Sequence, residues 1–313
     1  MSYPNKQILD TFTEETLPDL DVVTLGALEL LGGAALPNID TLLSKRTLVV
    51  GSGNAGVTGR IIFDGVKALH ADEGTYKQIL STAKESLDSA VLISASGGKH
   101  AVEIAEELKR SGLMVHLMTT NSKAEAAVFV DKDRWYTFPK NREPYTYNTS
   151  TYMSMLLAKT GESPAAILAF LMEDTARRLP DTLGQYDAFY CIIPPEFAAM
   201  REMFTTKFDE LFGAKVSGRV FTYEQTKHAK TVVPGDNECF ISFGAENTTF
   251  GIPGCRVHVP LPREVGCVGM MAVAYYTIGQ IQKQHPPYYR DNIQNYTREA
   301  SKLFGSIITP VVE

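Results

Sequence analysis

The chain has 313 residues, 44% hydrophobic and 21% charged, which gives room for about two domains with sizeable cores. A net charge of −6 argues against a nucleic-acid partner, which asks for a basic face. No stretch approaches the roughly 18 uninterrupted apolar residues of a membrane span, and Met1-Ser-Tyr-Pro-Asn-Lys6 lacks an apolar signal core, so a cytoplasmic protein off the membrane is expected. The four cysteines form no Cys-x-x-Cys pair and the six histidines no His-x-x-x-His, so neither a metal site nor a cofactor is expected.

In chain order, residues 1–38 read as one or two helices broken at Gly32-Gly33. Thr47 to Val50 is a short buried strand opening into Gly51-Ser52-Gly53-Asn54-Ala55-Gly56, and a helix is expected from Gly59 to Leu69. Tyr76 to Ser86 is a second helix. The strand at Val91 then breaks into Ser94-Ala95-Ser96-Gly97-Gly98-Lys99-His100, ahead of the amphipathic stretch Val102 to Arg110. Two hydroxyls and two glycines at a helix start suit a small tetrahedral anion, because unpaired N–H groups and the helix dipole point at it. An ordinary strand-to-helix turn has the same composition. Val115 to Met118 is the next strand, ending in Thr119-Thr120-Asn121-Ser122; Trp135 to Phe138 is a fourth; Thr151 to Leu157 and Ala165 to Arg178 bridge the halves as helices.

The pattern then recurs. Asp187 to Pro194 is a buried strand followed by a long helix from Glu196 to Phe212. Cys239-Phe-Ile-Ser242 echoes Val91-Leu-Ile-Ser94, and Arg256-Val-His258-Val echoes Met114-Val-His116-Leu. An internal duplication with a parallel sheet in each half is expected. The second half has Ile193-Pro194-Pro195-Glu196 where the first has its glycine loop, so only the first half keeps an anion cradle.

Gly51-Ser-Gly53-Asn-Ala-Gly56 also matches a dinucleotide fingerprint, which needs a second strand ending in an acidic residue about 20 residues on. Lys67 to Thr75 reads as polar helix or loop, so that reading is set aside.

Together these residues resemble the SIS (sugar isomerase) family in its two-domain phosphosugar-isomerase form. The marks are Ser94-Ala95-Ser96-Gly97, Thr119-Thr120-Asn121, Glu143 with Asn148-Thr149, and a glutamate-then-histidine arrangement, Glu210 and His228. The resemblance implies an α/β fold of two SIS-type domains, each a parallel sheet flanked by helices, behind N-terminal helices. The expected boundaries are 1–38 for the helical segment, 39–180 for the anion-binding domain and 181–313 for the domain with the Glu/His pair. It implies an aldose–ketose isomerase of a hexose with a C6 anion, working through a cis-enediol, and a homodimer with the histidine supplied by the partner chain. Catalysis is assigned to Glu210 and His228. Substrate binding is assigned to Ser52, Gly53, Asn54, Ser94, Ser96, Gly97, Lys99, Thr119, Arg142, Glu143, Asn148 and Thr149.

The chemistry suits those residue types. A carboxylate against an apolar helix surface is raised toward neutrality and can take and return a proton, and Glu210 has Phe208, Leu211 and Phe212 beside it. A histidine titrates near neutrality and can open the sugar ring. Read alone, Glu210 is equally a solvated helix-end carboxylate, His228 a surface histidine, and Arg142 with Glu143 an interdomain salt bridge.

The chain departs from the family at the anion. Asn54-Ala55 and Lys99 stand where hydroxyl residues are usual. A sulfonate is a monoanion that needs fewer donors than a phosphate, so a 6-deoxy-6-sulfo-sugar such as sulfoquinovose or sulfofructose competes with a 6-phosphosugar; alternatively Lys99 serves phosphate as a point charge. A fructosamine-6-phosphate deglycase and a non-catalytic sugar-phosphate sensor are the other readings of the same scaffold.

Overall fold

The computed structural model describes residues 3–98 and 100–313. Contacts group them into two compact units: 34–140 with 150–161, and the rest, made of 1–33, 141–149 and 162–313. These units depart from the expected boundaries. The N-terminal helices group with the C-terminal half, as do residues 141–149 and 162–180, because residues 20–31 pack on residues 164–170 and 267–284.

The chain begins with α1 (Pro4–Thr11) and α2 (Leu20–Leu31). The smaller unit then runs β1 (Thr47–Val50), α3 (Asn54–Ile62), β2 (Ala68–Ala71), α4 (Tyr76–Ala83), β3 (Ser89–Ile93), α5 (His100–Arg110), β4 (Met114–Thr119) and β5 (Trp135–Thr137). Its sheet is wholly parallel, in the order β2-β1-β3-β4-β5. β1 and β3 are buried along their length, as central parallel strands covered on both faces must be. Its core joins Leu48, Val50, Leu92, Val115 and Leu117 to Ala101, Ile104, Ala105 and Leu108, the apolar stripe of α5.

The strand β2 corrects the sequence reading, which ran a helix through Leu69. It is an edge strand with its two central residues exposed and its ends half-buried, so it carries no apolar alternation to betray it. Asp72 follows it, as a dinucleotide fold would require. However, Asp72 Oδ1 accepts from Gly74 N and Thr75 Oγ1 and so closes the turn into α4, and the strand order is the flavodoxin-like one.

Continuing, the chain passes β6 (Glu143–Pro144), α6 (Thr149–Thr160) and α7 (Pro164–Phe170), which runs on through a π-helical turn at Leu171–Thr175 into α8 (Ala176–Arg178). β7 (Ala188–Ile193), α9 (Arg201–Phe212), β8 (Ser217–Thr222), α10 (Tyr223–Thr226), β9 (Glu238–Phe243), β10 (Arg256–Val259), α11 (Cys267–Gln284), α12 (Tyr288–Phe304) and β11 (Val311–Val312) complete it. The second sheet is parallel in the order β10-β9-β7-β8. Read from its other edge, that order repeats β2-β1-β3-β4, with β9 and β10 in the places of β3 and β4. The echoed strands thus hold equivalent positions, and the duplication is real at the level of topology.

Two close approaches set the frame of the larger unit. α11 is buried on nearly every face, and Gly279 admits α2: a Cβ there would lie 2.0 Å from Asp21 N. Gly218 on β8 admits α9, since a Cβ would meet the Phe208 ring at 2.1 Å. The N–H groups at the start of α11 are taken by Glu162. Its carboxylate accepts from Gly266 N (2.8 Å), Val268 N (2.9 Å) and Gly269 N (2.9 Å). Glu162→Ala leaves three N–H groups without their partner and is expected to cost about 2 kcal/mol, read as a lower Tm, with Glu162→Gln costing less. Among the described residues no single helix is long and apolar enough to cross a membrane.

Candidate functional site

Two loci carry the expected residues, one in each unit. In the smaller unit, β1, β3 and β4 are neighbours, so the loops leaving their C-terminal ends share one edge of the sheet, where open α/β sheets bind ligands. The first loop holds Ser52, exposed, and Gly53 at φ 53, with open space where a Cβ would stand. Asn54 follows at the start of α3, buried, with its Oδ1 unpartnered. Gly56 packs so tightly that a Cβ would fall 2.6 Å from Gly51 O.

In the second loop Ser94 Oγ accepts from Gly97 N (3.1 Å) and Ser96 Oγ from Gly98 N (3.3 Å), which leaves each hydroxyl its own proton to give. Gly97 has φ 62, and a Cβ would sit 2.4 Å from that of Ala124, so only glycine fits. Thr119 is differently employed. Its Oγ1 donates to Ala95 O (2.9 Å) and accepts from Asn121 N (3.1 Å), so it ties the second loop to the third. Lys99 lies outside the described residues.

The second locus lies wholly in the larger unit and is built on the segment from Glu143 to Thr149. Glu143 is 4% exposed, and its Oε2 accepts from Thr149 N (2.7 Å), capping α6. Between them the backbone takes the left-handed region at two non-glycine residues, Thr146 (φ 74) and Asn148 (φ 47). That shape presents the carbonyls of Thr146 and Tyr147 to Lys207 of α9, whose Nζ donates to them at 3.0 and 2.9 Å. The third proton of Lys207 goes to Glu210 Oε2 at 2.5 Å. Lys207 is fully buried, so its charge depends on having all three donors matched, and they are.

Glu210 lies one turn further along α9, on the same face. Burial pushes its carboxyl above its ordinary value, while Lys207 pulls it back. Its side chain keeps 22% of its surface open. A raised, partly open carboxylate on a rigid helix, steered by a buried cation, can take a proton from carbon and return it.

The remaining expected residues fall elsewhere. Arg142 donates to Glu313 (2.8 Å) and to Phe12 O, with its guanidinium 4.2 Å from the Phe12 ring, so it forms an ion pair, within one unit. The cleft beside it, about 430 Å³, is lined by Glu14, Glu15 and Glu313, a poor setting for an anion. His228 follows α10, whose capping box joins Thr222 and Gln225, and it is exposed. Among the described residues no hydrogen bond or ion pair links it to Glu210. Sequence reasoning missed Lys207, Thr146 and Tyr147; the only signal was a lysine three residues before the glutamate on one helix.

No family model matches the chain, and no curated protein matches its sequence. Solved structures match its fold. Glucosamine-6-phosphate deaminase from Thermotoga maritima superposes with a TM-score of 0.56 at 12% identity, over 86% of this chain and 95% of that one. Tagatose-6-phosphate ketose/aldose isomerase from Escherichia coli gives 0.56 at 13% identity, over 80% and 86%. The C-terminal domain of glucosamine-fructose-6-phosphate aminotransferase from Francisella tularensis gives 0.56 at 12%, over 90% and 99%. The chain therefore has an SIS-type fold.

Proposed function

We propose that the protein is an aldose–ketose isomerase acting on a hexose that carries an anion at C6. The observation that carries this reading is the Lys207–Glu210 pair: a buried, fully satisfied cation holding a raised carboxylate that is still partly accessible. The fold it shares with an isomerase and a deaminase of sugar phosphates supports the substrate class. In this reading Glu210 of the larger unit is assigned the proton transfer between C1 and C2 through a cis-enediol, and the loops at Ser52–Asn54 and Ser94–Gly97 of the smaller unit are assigned to an anion, each on the geometry of its own unit. His228, exposed in one copy, completes the site of a second copy in a homodimer and opens the ring. Thr119 shapes the cradle by tying its loops together, and Glu143, Asn148 and Thr149 form the platform under Lys207. The uncharged amide of Asn54 and the presence of Lys99 in the chain favour a cradle with fewer hydroxyls, which fits a sulfonate as well as a phosphate.

The test is a panel of glucose, mannose and fructose 6-phosphates, their 6-sulfo counterparts and a fructosamine 6-phosphate, followed by NMR. Turnover of sulfo-sugars alone assigns the cradle to sulfonate, and turnover of phosphates alone assigns it to phosphate. Release of amine makes the protein a deglycase. Binding without turnover anywhere overturns the enzyme and leaves a sensor.

A further inference from the structure

The turn under Lys207 is costly to hold. Two non-glycine residues stand in the left-handed region, a conformation that persists only where the surroundings over-determine it. Those surroundings can be named. Tyr289 OH donates to Tyr145 O, Glu143 caps Thr149 N, and β6 pairs with β11 through Pro144↔Val311 and Glu143↔Val312. The residue between the two strained positions, Tyr147, is fully buried and has a different hold. Its hydroxyl accepts from Gln282 Nε2 (2.9 Å), while Gln282 Oε1 accepts from Leu20 N (2.9 Å) at the first residue of α2.

The N–H of an early helix residue has no partner within its own helix, so Gln282 answers it from α11 and passes its amide on to Tyr147. We infer that Gln282 and Tyr147 are positioning residues: through them the start of α2 fixes the carbonyl on which Lys207 rests, and thereby the distance from Lys207 to Glu210. The N-terminal helices are then part of the frame of the base and not a separate appendage. The inference rests on the isomerase reading only for its effect on turnover.

Among the described residues, the charged and titratable groups that act on Glu210 include Lys207 and Asp209 on α9, Tyr145 and Tyr147 on the turn, and Tyr289 on α12. Lys207 is the cation of that set, so loosening it moves the titration of Glu210 upward. The experiment is carbon NMR of the full chain labelled at glutamate carboxyls, with Glu210 assigned by the signal lost in Glu210→Gln. Gln282→Leu and Tyr147→Phe are each expected to raise its midpoint by about half a pH unit or more, and the double variant by no more than the larger single one. Tyr147→Phe removes one oxygen and keeps the ring, so it decides the matter if Gln282→Leu fails to fold.

Gln280→Ala is the control. Gln280 Nε2 donates to Asp21 Oδ2 (2.6 Å), so this change cuts another tie between α2 and α11 without touching Tyr147. It should leave the midpoint in place. An unmoved midpoint in folded Tyr147→Phe, or an equal shift in Gln280→Ala, overturns the inference. Should the wild type turn over no sugar, the isomerase reading fails while the titration still decides this one. Where it does turn over, kcat falls with KM held, and the acid limb of its pH profile moves up with the midpoint.

Discussion

Glu210→Gln is expected to abolish proton exchange between C1 and C2 of the sugar, with a loss of about a thousandfold or more in kcat, the upper range of general base removal. The amide keeps an oxygen where Lys207 Nζ now donates, so the fold and the turn at Thr146-Tyr147 should survive. Substrate affinity should therefore hold within a few-fold, because the anion loops belong to other elements. A circular-dichroism melt beside the kinetics separates lost chemistry from lost structure.

Lys207→Met is expected to act on both. The carbonyls of Thr146 and Tyr147 lose the Lys207 donor, the first keeping only a 3.3 Å bond from Asn148 Nδ2, and Glu210 loses its cation. A stability loss of about 2–4 kcal/mol follows, together with near-complete loss of turnover. The pH dependence has a definite sign. Without Lys207 the Glu210 carboxyl rises further above its ordinary value of 4.5, so its folded form prefers the proton. Stability that comes from the protonated form is present below the unfolded value and is lost as pH rises through the folded one. The variant should thus be closest to wild type in acid and worst near neutrality, and any residual activity should need a higher pH.

Much of this was legible in the sequence. Apolar runs ending in Gly and Ser located β1, β3 and β4 with their loops, because buried parallel strands are continuous in hydrophobicity. The echo of Ser94 and His116 in Ser242 and His258 located the duplication. Two things were hidden for physical reasons. The edge strand β2 is solvated and lacks the pattern by which strands are read. The platform of Lys207 consists of backbone carbonyls on a turn with positive φ at Thr146 and Asn148, and composition gives no sign of which carbonyl a buried lysine will meet. Arg142, expected at the sugar pocket, is tied to Glu313 and Phe12, partners that its sequence neighbourhood does not announce.

The central claim is that Glu210, steered by Lys207, moves a carbon-bound proton. The most direct measurement is proton NMR of the wild type in D₂O with each C6-anionic hexose, following deuterium entering C2 of the aldose or C1 of the ketose. Exchange by the wild type with at least one of them, and none by Glu210→Gln under the same conditions, is the predicted result. Equal exchange by both proteins, or none by a wild type that binds the sugar, would contradict it.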